Sequence, residues 1–251
     1  GTATVNIMFT GNFSGTASTT FEIVSAGLPD DITNDDVFAI SGTELMKWHD
    51  EDITLVTQDG WTVGWTADGL GESVSLSDES TRTGDQVVPS RAELYVKDSA
   101  GSIYKTTVDY RLDKTLPLVV VDGMGEDGVN KIWDDEKEIT IHVTDALSGV
   151  RYIQILGQSA GNTSVEYGDP SLGLGYLPIP ADGTITYTVK ANDIYTITAY
   201  DNADNQASWD GELPTFVVEK IDREKPTAAF GSITGAEGEN GWFTGAVTVN
   251  V

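Results

Sequence analysis

Apolar and polar residues alternate with a period of two through most of this chain. Across residues 138–143 the side chains read Glu, Ile, Thr, Ile, His, Val. Ile139, Ile141 and Val143 therefore fall on one face of an extended strand, and Glu138, Thr140 and His142 on the other. The same spacing runs through residues 3–7, 16–23, 52–57, 92–97, 103–112, 184–189 and 194–199. The alternating residues are largely Thr, Val, Ile, Phe and Tyr, which suit a pleated, half-buried surface. Shorter strands are predicted over 37–40, 61–66, 73–76, 117–121, 150–156 and 217–221. Turn-formers punctuate the runs: Gln58-Asp-Gly60, Asp68-Gly69, Asp98-Ser-Ala-Gly101, Asp145-Ala-Leu-Ser-Gly149, Asn192-Asp193 and Asp201-Asn-Ala-Asp-Asn205. No stretch keeps a helical period long enough for a substantial helix. Short strands with turns about every 8–12 residues predict an all-β chain of β-sandwich type.

Repeated phrases divide the chain. The acidic turn and strand beginning Trp133-Asp-Asp-Glu is matched by Trp48-His-Asp-Glu and, more loosely, by Trp242-Phe-Thr-Gly. Asp113-Lys-Thr-Leu-Pro117 precedes Trp133, and Asp222-Arg-Glu-Lys-Pro226 precedes Trp242. Each tryptophan falls sixteen residues after its proline. The late turns Asp98-Ser-Ala-Gly-Ser102 and Asp201-Asn-Ala-Asp-Asn205 also align. This places whole modules at 27–113 and 114–222, a terminal hairpin of a preceding module at 1–26, and the opening strands of a following module at 223–251. Residues 27–36 read as an acidic linker, and the chain reads as a piece of a longer one. A lone hairpin is marginal in water, and an open sheet edge needs cover. The two end pieces are thus expected to pair with neighbouring chains or to fold back on a module.

Composition narrows the role. Forty acidic residues against fourteen Lys and Arg give a net charge of −26, which excludes nucleic-acid binding through clustered cations and disfavours anionic lipid. No apolar run reaches the length of a membrane span, so no membrane insertion is expected. The chain has no cysteine, which fits either an intracellular protein or a bacterial exported protein stabilised by sheet burial.

Asp113-x-x-x-Pro117, Trp133, Asp145-x-x-Ser148-Gly149-Val150 and the run from Tyr195 to Asn205 resemble the bacterial immunoglobulin-like repeats of large cell-surface proteins, common in Firmicutes. Residues 114–222 match most of that pattern, with Asp204 where the repeats usually carry glycine. Residues 223–251 match its opening. Residues 27–113 match loosely, without the Asp-x-x-x-Pro phrase. Residues 1–26, with Gly11-Asn12-Phe13 and Gly15-Thr16-Ala17, are similar to the terminal hairpin of a related repeat type. The resemblance implies tandem immunoglobulin-like β-sandwiches in an extracellular, surface-attached or secreted bacterial protein. It also implies a non-catalytic role as stalk, spacer or adhesin segment. A carbohydrate- or host-protein-binding module, using the 157–181 insertion or the tryptophans, and an accessory segment beside a catalytic domain are the alternatives.

Candidate chemistry is sparse. His49 and His142 belong to no catalytic phrase, and no enzyme is expected. Calcium seeks several carboxylate and carbonyl oxygens on flexible loops. The loop bearing Asp122, Glu126, Asp127, Asp134 and Asp135, the turn bearing Asp201 and Asp204, and the acidic 27–36 linker offer them. The competing reading, and the expectation, is that these are solvated turns whose side chains accept bonds from their own backbone. Trp61 and Trp65, four apart, form either a flat platform for a glycan or part of the core, the second being the expectation. Lys114 and Lys220 flank the seams but belong to no phrase that marks an isopeptide cross-link.

Overall fold

The computed structural model describes residues 2–9, 15–22, 24–25, 27–159, 164–168, 176–229 and 231–250. The described chain is all-β in several sheets, with two four-residue α-helices and one 3-10 turn. Most of the apolar alternation sorts into two buried clusters, one on either side of Asp113.

At the N-terminal end, β1 (Thr2–Phe9) and β2 (Gly15–Glu22) form an antiparallel hairpin. It is followed by β3 (Val24–Ser25). The Gly11-Asn12-Phe13 phrase lies outside the described residues. Next come α1 (Asn34–Val37), where the sequence predicts the end of a linker and the start of a strand over 37–40, and α2 (Gly42–Leu45). Local bonding explains the difference. Thr33 donates from both its backbone N–H and its hydroxyl to Asp36 Oδ2, at 2.9 and 2.6 Å, closing the first turn of α1. These bonds, the hydroxyl's first, hold the Asp36 carboxyl below its ordinary range. Ser41 caps α2 by accepting from the Glu44 N–H. Asn34 then fastens the segment to the sheet, its amide donating to Thr107 O and accepting from the Thr106 hydroxyl. Val37, Phe38 and Leu45 are delivered into the core.

The strands around the first cluster are β4 (Trp48–His49), β5 (Ile53–Val56), β6 (Thr62–Gly64), β7 (Ser73–Leu76), β8 (Thr81–Thr83), β9 (Gln86–Val88), β10 (Ser90–Lys97) and β11 (Ile103–Leu112), of which β5, β6, β7, β10 and β11 supply buried residues to it. One sheet runs β3-β11-β10-β6, with β4 also on β11. β5 pairs β7, and β8 pairs β9. Leu55 and Leu76 from one pair meet Val63, Leu94, Val96, Val108 and Leu112 from the larger sheet in one core.

The second cluster is built on β12 (Leu118–Val121), β13 (Val129–Asn130), β14 (Lys137–Thr144), β15 (Val150–Gly157), β16 (Val165–Gly168), β17 (Leu177–Pro178), β18 (Thr184–Val189), β19 (Asp193–Asp201) and β20 (Thr215–Val218). Two sheets, β12-β14-β18 and β13-β20-β19-β15-β16-β17, close over it. Ile139, Ile141, Val143, Ile185 and Val189 come from the first. Ile153, Ile155, Tyr195, Ile197, Phe216 and Val218 come from the second. Lys137 lies in its margin with its ammonium satisfied by Asn130 Oδ1, Asn130 O and Glu219 O. Burial holds its pKa below the ordinary lysine value. Much of the 157–181 insertion lies outside the described residues.

β21 (Ile233–Glu237) and β22 (Phe243–Val249) end the described chain as a second hairpin. Among the described residues, β21 and β22 pair only with each other, as do β1 and β2. Folding back of these hairpins onto a module sheet is therefore not seen there. Among the described residues of 1–26, β3 alone pairs with a later strand, running parallel to β11.

Gly183 has a positive φ of 68°, and a Cβ there would stand 2.1 Å from Val143 O, whereas Gly123, at φ 82°, has nothing within 4 Å. Both alanine variants carry the conformational penalty, about 1–2 kcal/mol, but only Gly183→Ala also forces the β14 backbone aside. Urea unfolding should show Gly183→Ala destabilising the second core by at least about 2 kcal/mol more than Gly123→Ala.

Candidate functional site

The chain leaves the first core through Asp113, which is fully buried. Its backbone N–H donates to His49 O at 2.9 Å, in continuation of the parallel pairing of β4 with β11. Its other polar groups face onward. Oδ1 accepts from the Thr115 N–H at 3.0 Å, shaping the turn into Pro117. Oδ2 accepts from the Ser148 N–H at 2.8 Å, and the carbonyl oxygen accepts from Asn205 Nδ2 at 2.7 Å. Lys114 and Thr115 reach back instead: the Lys114 ammonium contacts Asp52 and Ser77 O, and both residues donate to Glu79 Oε1. The seam is therefore bonded from both sides.

Two turns of the second core meet Asp113. In the turn between β14 and β15, Asp145 Oδ1 accepts from the N–H groups of Leu147 and Gly149 at 3.0 and 2.6 Å. In the turn after β19, Asp201 Oδ1 accepts from the N–H groups of Ala203 and Asn205, and Asp201 Oδ2 from Asn205 Nδ2. These are the local bonds that Asp and Asn make readily in turns. Asn202 ties the two turns together, donating from Nδ2 to Ser148 O and Gly149 O. One carboxylate oxygen from each of Asp113, Asp145 and Asp201 lies within 4.8 Å of the others, the one such acidic group among the described residues. Asp113 and Asp201 are both fully buried. Burial pushes the Asp201 pKa up, the bonds from Asn205 and Ala203 oppose this, and the neighbouring Asp113 charge adds to the rise.

The turn after β19 repeats the one between β10 and β11. Asp98 Oδ1 accepts from the Ser102 N–H as Asp201 Oδ1 accepts from that of Asn205. The position before the donating residue has positive φ in both, 89° at Gly101 and 76° at Asp204. The aspartate in the usual glycine position thus keeps the left-handed geometry, and its exposed carboxylate meets Arg151.

Of the residues singled out for calcium, only Asp201 belongs to this cluster. Asp122 contacts His142, Asp127 contacts Lys131, and Asp134 accepts from the Asp135 N–H. Glu126 is exposed, as are Asp134, Asp135 and Asp204. Sequence reasoning missed Asp113 and Asp145 as possible ligands, although both stand in the quoted phrases. They read there as turn formers, because nothing local says that the turns meet. Trp61 and Trp65 diverge. Trp61 packs against the first core with its ring 6.2 Å from that of Tyr104, beside an open cleft of about 780 Å³, while Trp65 is 50% exposed.

Asn205 spans Asp113 O and Asp201 Oδ2 with one amide nitrogen. Asn205→Ala strands two buried acceptors and is expected to cost about 1–3 kcal/mol. Asn205→Asp adds a charge to three carboxylates and should cost more. Denaturant melts of the two variants check the order, and equal stability would show that the amide does not hold the seam.

No protein-family model matches the chain, and no curated protein matches it. Among solved structures, the human desmocollin-1 ectodomain aligns with 12% identity and a TM-score of 0.23, over 91% of this chain and 46% of that one. The chain thus spans about half the length of that ectodomain.

Proposed function

We propose that the chain is a non-catalytic spacer segment of a bacterial cell-surface or secreted protein, made of tandem immunoglobulin-like β-sandwiches. The observation that carries this reading is the two-sided bonding of Asp113. Its N–H is held by the first core and its carboxylate and carbonyl by the second. A covalent seam alone leaves neighbouring modules free to swing. A buried residue bonded to both restricts that freedom, as a spacer requires, and buried Pro117 fixes the backbone just beyond.

Repetition supports the modular part of the reading. Asp222 leaves the second core as Asp113 leaves the first: its N–H donates to Asp134 O, the residue after Trp133, just as His49 follows Trp48. Two residues before each aspartate, a cation lies over the tryptophan ring, Arg111 over Trp48 and Lys220 over Trp133. The acidic surface keeps such a segment soluble.

The chain has no cysteine, so exposed Glu93 and Glu138 can be replaced by single cysteines and spin-labelled. The spacer reading expects one narrow distribution of distances between the two labels, and a broad, featureless one would contradict it. A glycan array probed with the parent chain and with Trp61→Ala and Trp65→Ala tests the recognition reading. The spacer reading expects no signal, and tryptophan-dependent binding would overturn it in favour of a carbohydrate module.

A further inference from the structure

We propose that Asp113, Asp145 and Asp201, with the hydroxyl of Ser148, form a site for a hard divalent cation, calcium, at the seam between the two cores. The inference goes beyond the spacer reading and stands whatever the segment holds apart. Its first support is the convergence of three carboxylates from three separate segments: the exit of β11, the turn after β14 and the end of β19. An oxygen of each lies within 4.8 Å of the others. Ligands opposite one another on calcium are about 4.6–5.2 Å apart, twice the usual calcium–oxygen distance, so the three oxygens are close enough to share one ion.

The second support is independent of the clustering. Among the described residues, Asp145 Oδ2 and Ser148 Oγ are buried atoms with no hydrogen-bond partner. Ser148 as a whole is only 9% exposed. It is clamped against the cluster, with its N–H on Asp113 Oδ2 and its carbonyl oxygen on Asn202 Nδ2. Its hydroxyl is thus confined to within a side chain's reach of Asp113. A buried oxygen without a partner loses its hydration for nothing in return, and two beside one group of carboxylates call for a shared partner. That partner must be positive. Three acids lie together, two of them fully buried, yet no Lys or Arg among the described residues forms an ion pair with any of them.

The donor set selects the ion. All the donors are oxygens, with no imidazole or thiolate, which disfavours zinc. Each carboxylate keeps acceptor capacity, since an ionised carboxylate offers about four lone-pair sites: Asp145 Oδ2 has no hydrogen-bond partner, and Asp201 Oδ2 and both Asp113 oxygens accept one bond each. The backbone bonds that shape the turns therefore orient the ligands without exhausting them. Magnesium dehydrates reluctantly and demands near-octahedral geometry, whereas calcium accepts irregular oxygen cages completed by water.

The test is thermal unfolding of the whole chain, stripped with EDTA and then titrated with calcium chloride or, at equal ionic strength, magnesium chloride. The midpoint should rise with the logarithm of calcium concentration, and magnesium should do far less. Asp145→Asn keeps the oxygen that accepts from Leu147 and Gly149 and replaces the unpartnered one with an amide. It should leave the stripped protein's midpoint nearly unchanged and weaken the calcium response at least tenfold. Ser148→Ala removes only the unpartnered hydroxyl. It should fold as the parent does and weaken calcium severalfold, which keeps the test decisive if Asp145→Asn fails to fold. Asp127→Asn, in the exposed acidic loop, should respond like the parent. The proposal is overturned if the parent shows no calcium response, if magnesium matches calcium, or if Asp145→Asn and Ser148→Ala respond undiminished.

Discussion

A buried carboxylate with bonds on both sides of it governs this structure. Asp113 is fully buried and is the last residue before the turn into the second core. An ionised acid in such a place is destabilising unless its oxygens are met by donors, and here donors arrive from Thr115 and from Ser148. Removing those donors would expose the penalty that they offset. The turns of the second core are therefore not free to drift relative to Asp113, and Asn205, Asp201 and Asp145 are held in their places around it.

The exit at Asp222 shows what that arrangement adds. Asp222 donates to Asp134 O and accepts from the Glu224 N–H, matching the bonds of Asp113 to His49 and Thr115. Yet Asp222 is exposed, as are residues 223–229 that follow it. The local chemistry of the phrase is the same at both exits. Burial at the first comes from the two turns that close over it. The phrase thus sets how the chain leaves a core, and the following turns decide whether the seam is packed.

Much of the fold was legible because its signals are local. Period-two alternation predicted β14, β18 and β19 closely, because each sets its apolar residues on one covered face. The turn from Asp201 to Asn205 was legible because an aspartate accepting from nearby N–H groups is a short-range event. The segment over 34–37 was misread as linker and strand. There the competing signal, Thr33 and Asp36 at capping-box spacing, was present but outweighed by the run of acids. The candidate site was legible only in fragments. Asp113, Asp145 and Asp201 each stood in a recognisable phrase, but their meeting is a long-range consequence of strand order, which no local pattern reports. Acid-rich loops drew the eye to Asp127 and Asp135, where solvent and nearby groups suffice. The cluster that matters has fewer acids and much less water.

The central claim is that Asp113 couples the two cores as a permanent part of the fold. The Ser148 amide reports on it directly, because its hydrogen bond crosses the seam to Asp113 Oδ2. Native-state hydrogen exchange should find that amide protected to nearly the same free energy as the Ile141 amide in the middle of the second core. Exchange of Ser148 as fast as an exposed loop amide, such as that of Gly123, with Ile141 still protected, would show that the seam opens freely and would contradict the account.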